Sequence, residues 1–386
     1  YLSSQPVSGP FRALGAIWLG GDRTAWWVDD VSVEIDNSFM FEKPKLADEK
    51  IIACLQDEYG LSVTDLEFLP IGHDARAGVY RVLTNADERY FLKVQKGTVY
   101  PPSLTIPHYL KSQGVTQVVA PLATKDQALW QSIDGFTLLL YPFIEGQTGM
   151  TRGLTDSQWG EFGALLRQIH GTRLSTALLE QIRKETFVPR WGGVVKRVLA
   201  QVQTQTYQDA AEQELAAFWH AKQAQISGLV ARAEELGRLL QSRSLPFVLC
   251  HADIHIANLL LDQTNQMFVV DWDDVIFAPK ERDLMFVVGT PIGKLGVTEN
   301  AEARFLQGYG QAEFDAAAYA YYRYEWVVQD IGEFGEQVFI TQDHGDETKQ
   351  KAVHGFLSMF APGSVVDAAY HAEGNLPTEI KRSNHH

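Results

Sequence analysis

Two short segments between residues 248 and 273 carry side chains whose types and spacing could do chemistry. His251, Asp253 and Asn258 follow the pattern His-x-Asp-x-x-x-x-Asn between two apolar strands, and Asp271 ends the next apolar strand. Phosphoryl transfer needs a carboxylate that accepts or orients the proton of an attacking hydroxyl, and separate oxygen ligands that hold Mg²⁺ against a triphosphate. Asp253 fits the first role, and Asn258 and Asp271 fit the second.

The alternative for these segments is a polar hairpin with ordinary turn residues, since a lone Asp or Asn in a loop is usually a turn or cap residue. Three residues that keep a demanding spacing between flanking apolar strands favour the catalytic interpretation. We expect His251 to brace the backbone of this loop, and we expect His255 to be structural rather than catalytic.

A second element agrees with phosphoryl transfer. Lys93 lies inside the apolar strand 90–94, where a lysine is costly unless it has a partner. In kinases such a lysine contacts the α- and β-phosphates of the nucleotide. The loop from Gly72 to Gly78 could fold over phosphates and offer its backbone N–H groups, although it is poor in glycine and a plain hairpin is an equal alternative.

The elements that must position these residues divide into a β-rich part and a mainly helical part. A helix is predicted over residues 48–59, ended by Gly60, and another over 106–113, interrupted at Pro107. Strands are predicted at 65–69, 79–83, 90–94, 118–119, 129–130 and 136–140. After Tyr141, a capping box at Thr155 and helical patterns at 208–241 and beyond 283 surround strands at 247–249, 259–261 and 268–270.

Composition narrows the class of protein. The chain has 386 residues, 45% of them hydrophobic, and a formal net charge of −15, which disfavours nucleic acids and anionic membranes as partners. Two cysteines in no metal-binding spacing, without a signal peptide or a membrane span, indicate a reducing compartment, the cytoplasm. Residues 1–45 carry a predicted hairpin of unknown role, and His385–His386 are typical of a purification tag.

The segments 251–258 and 270–273 resemble the aminoglycoside phosphotransferase family, a relative of the choline and protein kinases. Residues 141–146, 189–191 and 321–325 are similar to its spectinomycin phosphotransferase branch, and the resemblance covers about residues 46–370. It implies an α+β, two-lobed, protein-kinase-like fold. The expected divisions are an extension over 1–45, a nucleotide-binding lobe over 46–140, a catalytic and substrate-binding lobe over 141–372, and a tail over 373–386.

The resemblance also implies roles for individual residues. Asp253 becomes the catalytic base, Asn258 and Asp271 the Mg²⁺ ligands, and Asp283 a brace of the catalytic loop. The expected ATP contacts are Lys93, the loop glycines Gly72 and Gly78, and a hinge formed by Tyr141, Phe143 and Ile144. One departure stands out: the stretch 99–105 lacks the acid that usually pairs with the lysine.

The acceptor follows from the same resemblance. An aminocyclitol with ammonium groups needs acids near the base, and Glu325, Asp330 and Glu333 lie on one predicted helix, although a solvated acidic face is an equal alternative. The expected reaction transfers the γ-phosphoryl group of ATP to a hydroxyl of an aminocyclitol or aminoglycoside antibiotic, with spectinomycin favoured and resistance as the result. A metabolic kinase for choline-like or amino-sugar acceptors and a nucleotide-binding pseudokinase are the alternatives.

Overall fold

An antiparallel sheet forms the first part of the chain in the computed structural model, which describes residues 43–69, 77–289, 297–310, 313–341 and 345–381. The sheet contains β1 (Val63–Leu69), β2 (Ala77–Thr84), β3 (Arg89–Lys96), β4 (Gln131–Ile133) and β5 (Phe136–Pro142) in the order β1-β2-β3-β5-β4. The predicted hairpin in residues 1–45 lies almost wholly outside the described residues. Gly72 also lies outside them.

The register of this sheet determines which residues lie beside Lys93. Lys93 pairs with Val79 on one side and with Leu139 on the other, at the centre of the sheet. The strand predictions were confirmed with ends shifted by one or two residues, except that the strand expected at 129–130 lies at Gln131–Ile133. At 118–119, Val118 forms an isolated bridge with Val269 instead of a strand.

Two helices accompany the sheet. The first, α1 (Asp48–Cys54), continues as a π-helical turn over Leu55–Tyr59 and ends at Gly60, whose φ of 76° confirms the predicted glycine stop. The second, α2 (Pro102–Ser112), begins four residues earlier than predicted, because Pro102 suits a first turn in which its missing N–H is not needed. The predicted interruption at Pro107 was wrong, since the helix continues through this buried residue.

The rest of the described chain is mainly helical. Its helices are α3 (Gly149–Arg152), α4 (Asp156–His170), α5 (Thr176–Gln181), α6 (Gly192–Thr204), α7 (Ala210–Gln241), α8 (Glu281–Leu284), α9 (Glu299–Tyr309), α10 (Ala316–Phe339), α11 (Asp346–Ser358) and α12 (Val365–Ala372). Helix α4 begins with the predicted capping box, in which Thr155 and Gln158 cap each other. No helix within the described ranges is long and apolar enough to cross a membrane.

Helix α10 is the centre of the helical lobe and packs against α6, α7, α11 and α12. Two glycines on this helix make room for tryptophans. A Cβ on Gly332 would lie 2.8 Å from Trp191, and one on Gly335 would lie 3.1 Å from Trp219. The large lobe therefore has a tightly packed core around α10.

Two small sheets support those polar segments. One contains β6 (Gly146–Thr148), β8 (Leu259–Asp262) and β9 (Met267–Val269), and the other pairs β7 (Val248–Cys250) with β10 (Ile276–Ala278). The loop after β7 leads into β8 and the loop after β9 leads into β10, so both polar loops connect the two small sheets. The two-lobed, kinase-like architecture predicted from the sequence is confirmed, whereas the exact lobe boundaries stay a prediction.

Candidate active site

The loop between β7 and β8, called the catalytic loop below (residues 251–258), is held by buried hydrogen bonds. The N–H of His251 donates to Asp283 Oδ2 at 2.9 Å, and the N–H of Ala252 donates to Asp283 Oδ1 at 2.6 Å. Ala252 has a φ of 74°, in the left-handed region that non-glycine residues rarely adopt. Asp283 thus fixes an unfavourable turn immediately before Asp253.

Asp253 and Asn258 contact each other directly. The Asn258 amide nitrogen donates to the Asp253 carbonyl at 2.8 Å and to Asp253 Oδ2 at 3.1 Å. The Asn258 Oδ1 atom is buried and accepts no hydrogen bond from the described part of the chain. A buried amide oxygen normally has a partner, and a hard cation such as Mg²⁺ takes oxygen ligands of this kind. The donor set therefore fits the metal that the spacing predicted.

Asp271 follows β9 at the start of the second polar loop. Its φ of 60° is again left-handed, and strained backbone of this kind is concentrated at functional sites. The N–H of Val270 donates to the Asn258 carbonyl at 3.1 Å, which ties this loop to the catalytic loop. The predicted metal ligands Asn258 and Asp271 are thereby connected by a backbone hydrogen bond of Val270, the residue before Asp271.

Lys93 is 4% exposed and has an acidic partner after all. Its Nζ atom lies 2.8 Å from Asp273 Oδ2, two residues beyond Asp271. Helix α2, where such an acid was sought, contains none, so the partner comes from the large lobe instead. Asp273 is the site residue that the sequence interpretation missed, although it stands inside the segment 270–273 that carried the resemblance.

The predicted nucleotide contacts lie around an apolar cluster shared by both lobes. Phe143 and Ile144 pack against this cluster, whose buried members are Val79, Phe91, Val119, Leu260 and Val270. Tyr141 belongs to it too. Burial raises the pKa of the Tyr141 hydroxyl, the nearby Asp273 carboxylate raises it further, and Lys93 lowers it, so this side chain lies beside the ion pair.

Gly78 has a packing role in the structure. It lies in β2, paired with Val94, and a Cβ at this position would come within 2.4 Å of the Pro44 ring. Glycine is therefore required there for close packing of the chain before α1. Its predicted contact with phosphates stays a prediction.

Comparison with known proteins gives the class of this site. Residues 67–325 match the model of the phosphotransferase enzyme family, and this span includes every part of the site described above. The chain belongs to this family. It is a phosphotransferase whose fold is that of kinases acting on hydroxyl groups.

Three solved structures illustrate the similarity. Spectinomycin phosphotransferase, APH(9)-Ia, in complex with ADP and spectinomycin, is 31% identical over 86% of this chain and 99% of that chain, with a TM-score of 0.77. The amicoumacin kinase hAmiN, bound to AMP-PNP, Ca²⁺ and Ami, is 15% identical over 83% and 95% of the chains, with a TM-score of 0.54. A Plasmodium vivax ethanolamine kinase is 11% identical over 78% and 83%, with a TM-score of 0.51. Among curated protein sequences, none matches significantly.

His251 braces the loops of the phosphotransferase site, as the sequence predicted. Its Nε2 atom lies 2.8 Å from the Val270 carbonyl, which can only accept, and its Nδ1 accepts the N–H of Asp253 at 3.3 Å. Both contacts together define a neutral ring. Burial lowers the pKa of His251 below its usual 6.5, although Asp283 acts in the opposite direction.

Asp283 is itself part of a buried polar chain. His170 Nε2 lies 2.9 Å from Asp283 Oδ2, and His170 Nδ1 lies 2.8 Å from the Tyr309 hydroxyl. His170, Asp283 and Cys250 together place three possible metal-ligand atoms within 4.8 Å of one another. The Cys250 thiol faces the carbonyl of Ala278, and burial raises its pKa well above the usual value, which opposes metal binding. The cluster is a structural support of the catalytic loop.

The three acids predicted to bind the acceptor have different surroundings on α10. Glu325 is buried and accepts a hydrogen bond from Arg282 at 2.7 Å, so an internal cation already balances it. Asp330 is fully buried, and Glu333 accepts a hydrogen bond from Gln329 at 3.0 Å. A solvated acidic face is therefore the wrong description of Glu325 and Asp330. Acceptor binding by these residues stays a prediction.

A further polar cluster next to β10 was not found from the sequence. Glu185 accepts the N–H of Phe187 at 2.6 Å, and burial together with the nearby Glu325 raises its pKa. Asp274 lies 3.4 Å from Arg183 and 3.8 Å from Arg190. The signal that the sequence offered for this cluster was the segment 189–191, which resembles the spectinomycin phosphotransferase branch. Its Arg190 lies next to Asp274, in the loop after Asp271.

Proposed function

We propose that this protein transfers the γ-phosphoryl group of ATP, with Mg²⁺, to a hydroxyl of a small cationic acceptor, for which an aminocyclitol such as spectinomycin is favoured. One observation carries the proposal above all others. Asn258 holds the Asp253 carboxylate through its amide nitrogen while its buried amide oxygen has no hydrogen-bond partner in the described chain. The Asn258 side chain thus both orients the proposed base and offers an oxygen ligand for a cation.

The chain's own residues account for most steps of the reaction. Asp253 accepts the hydrogen bond of the acceptor hydroxyl and takes its proton as the oxygen attacks the γ-phosphorus. The bond from that phosphorus to the β–γ bridging oxygen breaks, and ADP leaves. Asn258 and Asp271 would hold Mg²⁺, which when bound neutralises charge on the phosphate oxygens. Catalysis of this kind is mainly positioning and electrostatics, which suits a loop braced by Asp283.

Lys93 supplies the positive charge on the nucleotide side. Its Nζ contacts Asp273, which offsets the cost of burying an ammonium group. ATP phosphates would take over part of this role. The apolar cluster with Tyr141, Phe143 and Ile144 suits an adenine ring next to them, and an ATP-dependent enzyme of this kind belongs in the cytoplasm.

The choice of acceptor is supported by similarity and by charge. Spectinomycin phosphotransferase matches nearly the whole of its own length at 31% identity, far above the other two relatives. A net charge of −15 suits a cationic acceptor, and of the three predicted acids Glu333 is the partly exposed one, whereas Glu325 is already paired with Arg282. Phosphorylation of the antibiotic would give resistance.

A coupled assay of ADP release tests the proposal on purified protein. The panel contains spectinomycin, aminoglycosides, a macrolide, choline and ethanolamine, and mass spectrometry detects the added phosphate. We expect turnover of spectinomycin or a related aminocyclitol, and turnover about 1,000-fold slower with the Asp253→Asn variant. Turnover of choline or ethanolamine alone would replace the acceptor by a metabolic one. Nucleotide binding without turnover of any compound would favour the pseudokinase.

A further inference from the structure

The side chain of His255 lies beside the proposed catalytic base. His255 Nε2 is 3.4 Å from Asp253 Oδ1, and the histidine side chain is 1% exposed. We propose that His255 is a positioning residue, which fixes the orientation of the Asp253 carboxylate through its Nε2 atom. The inference rests on the proposed function, because it assigns a role towards the base of that reaction.

The two carboxylate oxygens of Asp253 have different neighbours. Asn258 donates to Oδ2 at 3.1 Å, whereas His255 is the neighbour of Oδ1. A carboxylate that is contacted at both oxygens cannot rotate about its last torsion without losing one contact. Each oxygen keeps a second lone pair, so a substrate hydroxyl can still donate to it.

The surroundings of His255 hold its ring in place. The ring packs edge-on against Phe286, with centroids 5.7 Å apart, and Phe286 packs in the same manner on Trp326 at 5.0 Å. The His255 carbonyl accepts the N–H of Asn258 at 2.9 Å, at the start of a 3₁₀ turn. Helix α10 is thereby connected to the base through two aromatic contacts.

The separation of 3.4 Å is longer than an ordinary N–H···O hydrogen bond, and contacts of catalytic groups often reach hydrogen-bonding distance only in the reactive complex. Its expected effect is on the chemical step. If the carboxylate rotates, the acceptor hydroxyl loses its alignment, whereas ATP still binds to Lys93 and to the apolar cluster. A positioning role therefore predicts a change in kcat without a change in the KM for ATP.

Two variants separate positioning from packing. His255→Gln keeps an N–H group at a reach similar to Nε2 but loses the ring contact with Phe286. His255→Phe keeps an aromatic ring there but loses the N–H group. We expect His255→Phe to lower kcat by about 100-fold, the size of loss that misplacement of a reacting group by 1 Å can cause. We expect His255→Gln to retain most of the activity, with the KM for ATP unchanged in both.

The opposite pattern, an active Phe variant with an inactive Gln variant, would assign His255 to packing and overturn the inference, as would equal activities in the two. If His255→Phe does not fold, His255→Leu takes its place in the same comparison. If the wild type phosphorylates no acceptor, the proposed function fails, and crystal structures decide the inference. An Asp253 carboxylate that rotates in the Phe variant and not in the Gln variant would support it, and identical orientations would refute it.

Discussion

The catalytic loop and the Lys93 strand prepare the two ends of one reaction in different ways. The catalytic loop is held from within the large lobe, where Asp283 accepts two backbone N–H groups and His251 bridges to Val270. Lys93 instead reaches across from the sheet of the small lobe to Asp273, 180 residues away in sequence. The proposed base is thus positioned by contacts within the large lobe, whereas the proposed phosphate contact, Lys93, is held by an ion pair between the lobes.

The sharpest test of this comparison removes the base itself. Asp253→Asn should lower kcat by about 1,000-fold, within the range for loss of a general base, because the amide cannot take the proton of the acceptor. The dissociation constant for ATP should stay close to the wild-type value. Calorimetric titration with ATP and turnover assays measure the two quantities. Asp65→Asn, on the exposed face of β1, is the control, and an equal loss there would contradict the assignment.

Removing the brace should affect folding as well as turnover. Asp283→Ala leaves two buried N–H groups without their acceptor and should lower the free energy of unfolding by about 3 kcal/mol. Urea denaturation measures this change. Asp209→Asn is a matched control, because Asp209 caps α7 and asparagine caps equally well, so its effect should be below about 0.5 kcal/mol. If Asp283→Ala is as stable as this control, the catalytic loop does not depend on buried bracing.

The ion pair between the lobes should matter less for stability and more for nucleotide affinity. Lys93→Met should raise the KM for ATP by about tenfold, the equivalent of 1.4 kcal/mol, because a phosphate contact is lost. Asp273→Asn should have a smaller effect. The double variant should cost less than the sum of the two, since paired groups couple by about 1 kcal/mol. Additive effects would mean that the two side chains act separately.

The smallest expected effect concerns pH. Burial lowers the pKa of His251 below its usual 6.5, so just below pH 6.5 the unfolded chain binds more protons than the folded protein does. The free energy of unfolding should therefore fall as the pH is lowered through this range. Urea denaturation at pH 7.5 and 5.5 measures it, and the difference between the wild type and His251→Gln isolates the contribution. Equal pH dependence of both would show that His251 does not contribute.

The sequence was sufficient for the parts of the site that neighbouring residues determine. The spacing of Asp253 and Asn258 fixes their mutual contact, because a short loop between two strands leaves them few arrangements. The apolar run over residues 90–94 likewise placed the strand of Lys93 correctly. These features depend on local chain geometry, which a single sequence records directly.

Features that depend on tertiary packing were not predictable in the same way. The partner of Lys93 was sought on the next helix, but Asp273 lies on a loop of the other lobe. Glu325 was expected to face either a ligand or water, whereas Arg282, 43 residues earlier, pairs with it inside the protein. In each case the partner is chosen by how separate elements pack, and spacing along the chain does not encode that choice.

The Lys93–Asp273 pair has a consequence for regulation. In protein kinases the acid that pairs with this lysine lies on a mobile helix, and moving that helix switches the enzyme on or off. Here the acid lies two residues from Asp271, and α2 contributes no carboxylate. Displacing α2 would therefore not break the Lys93–Asp273 ion pair. The helix movement that switches protein kinases thus has no counterpart at α2.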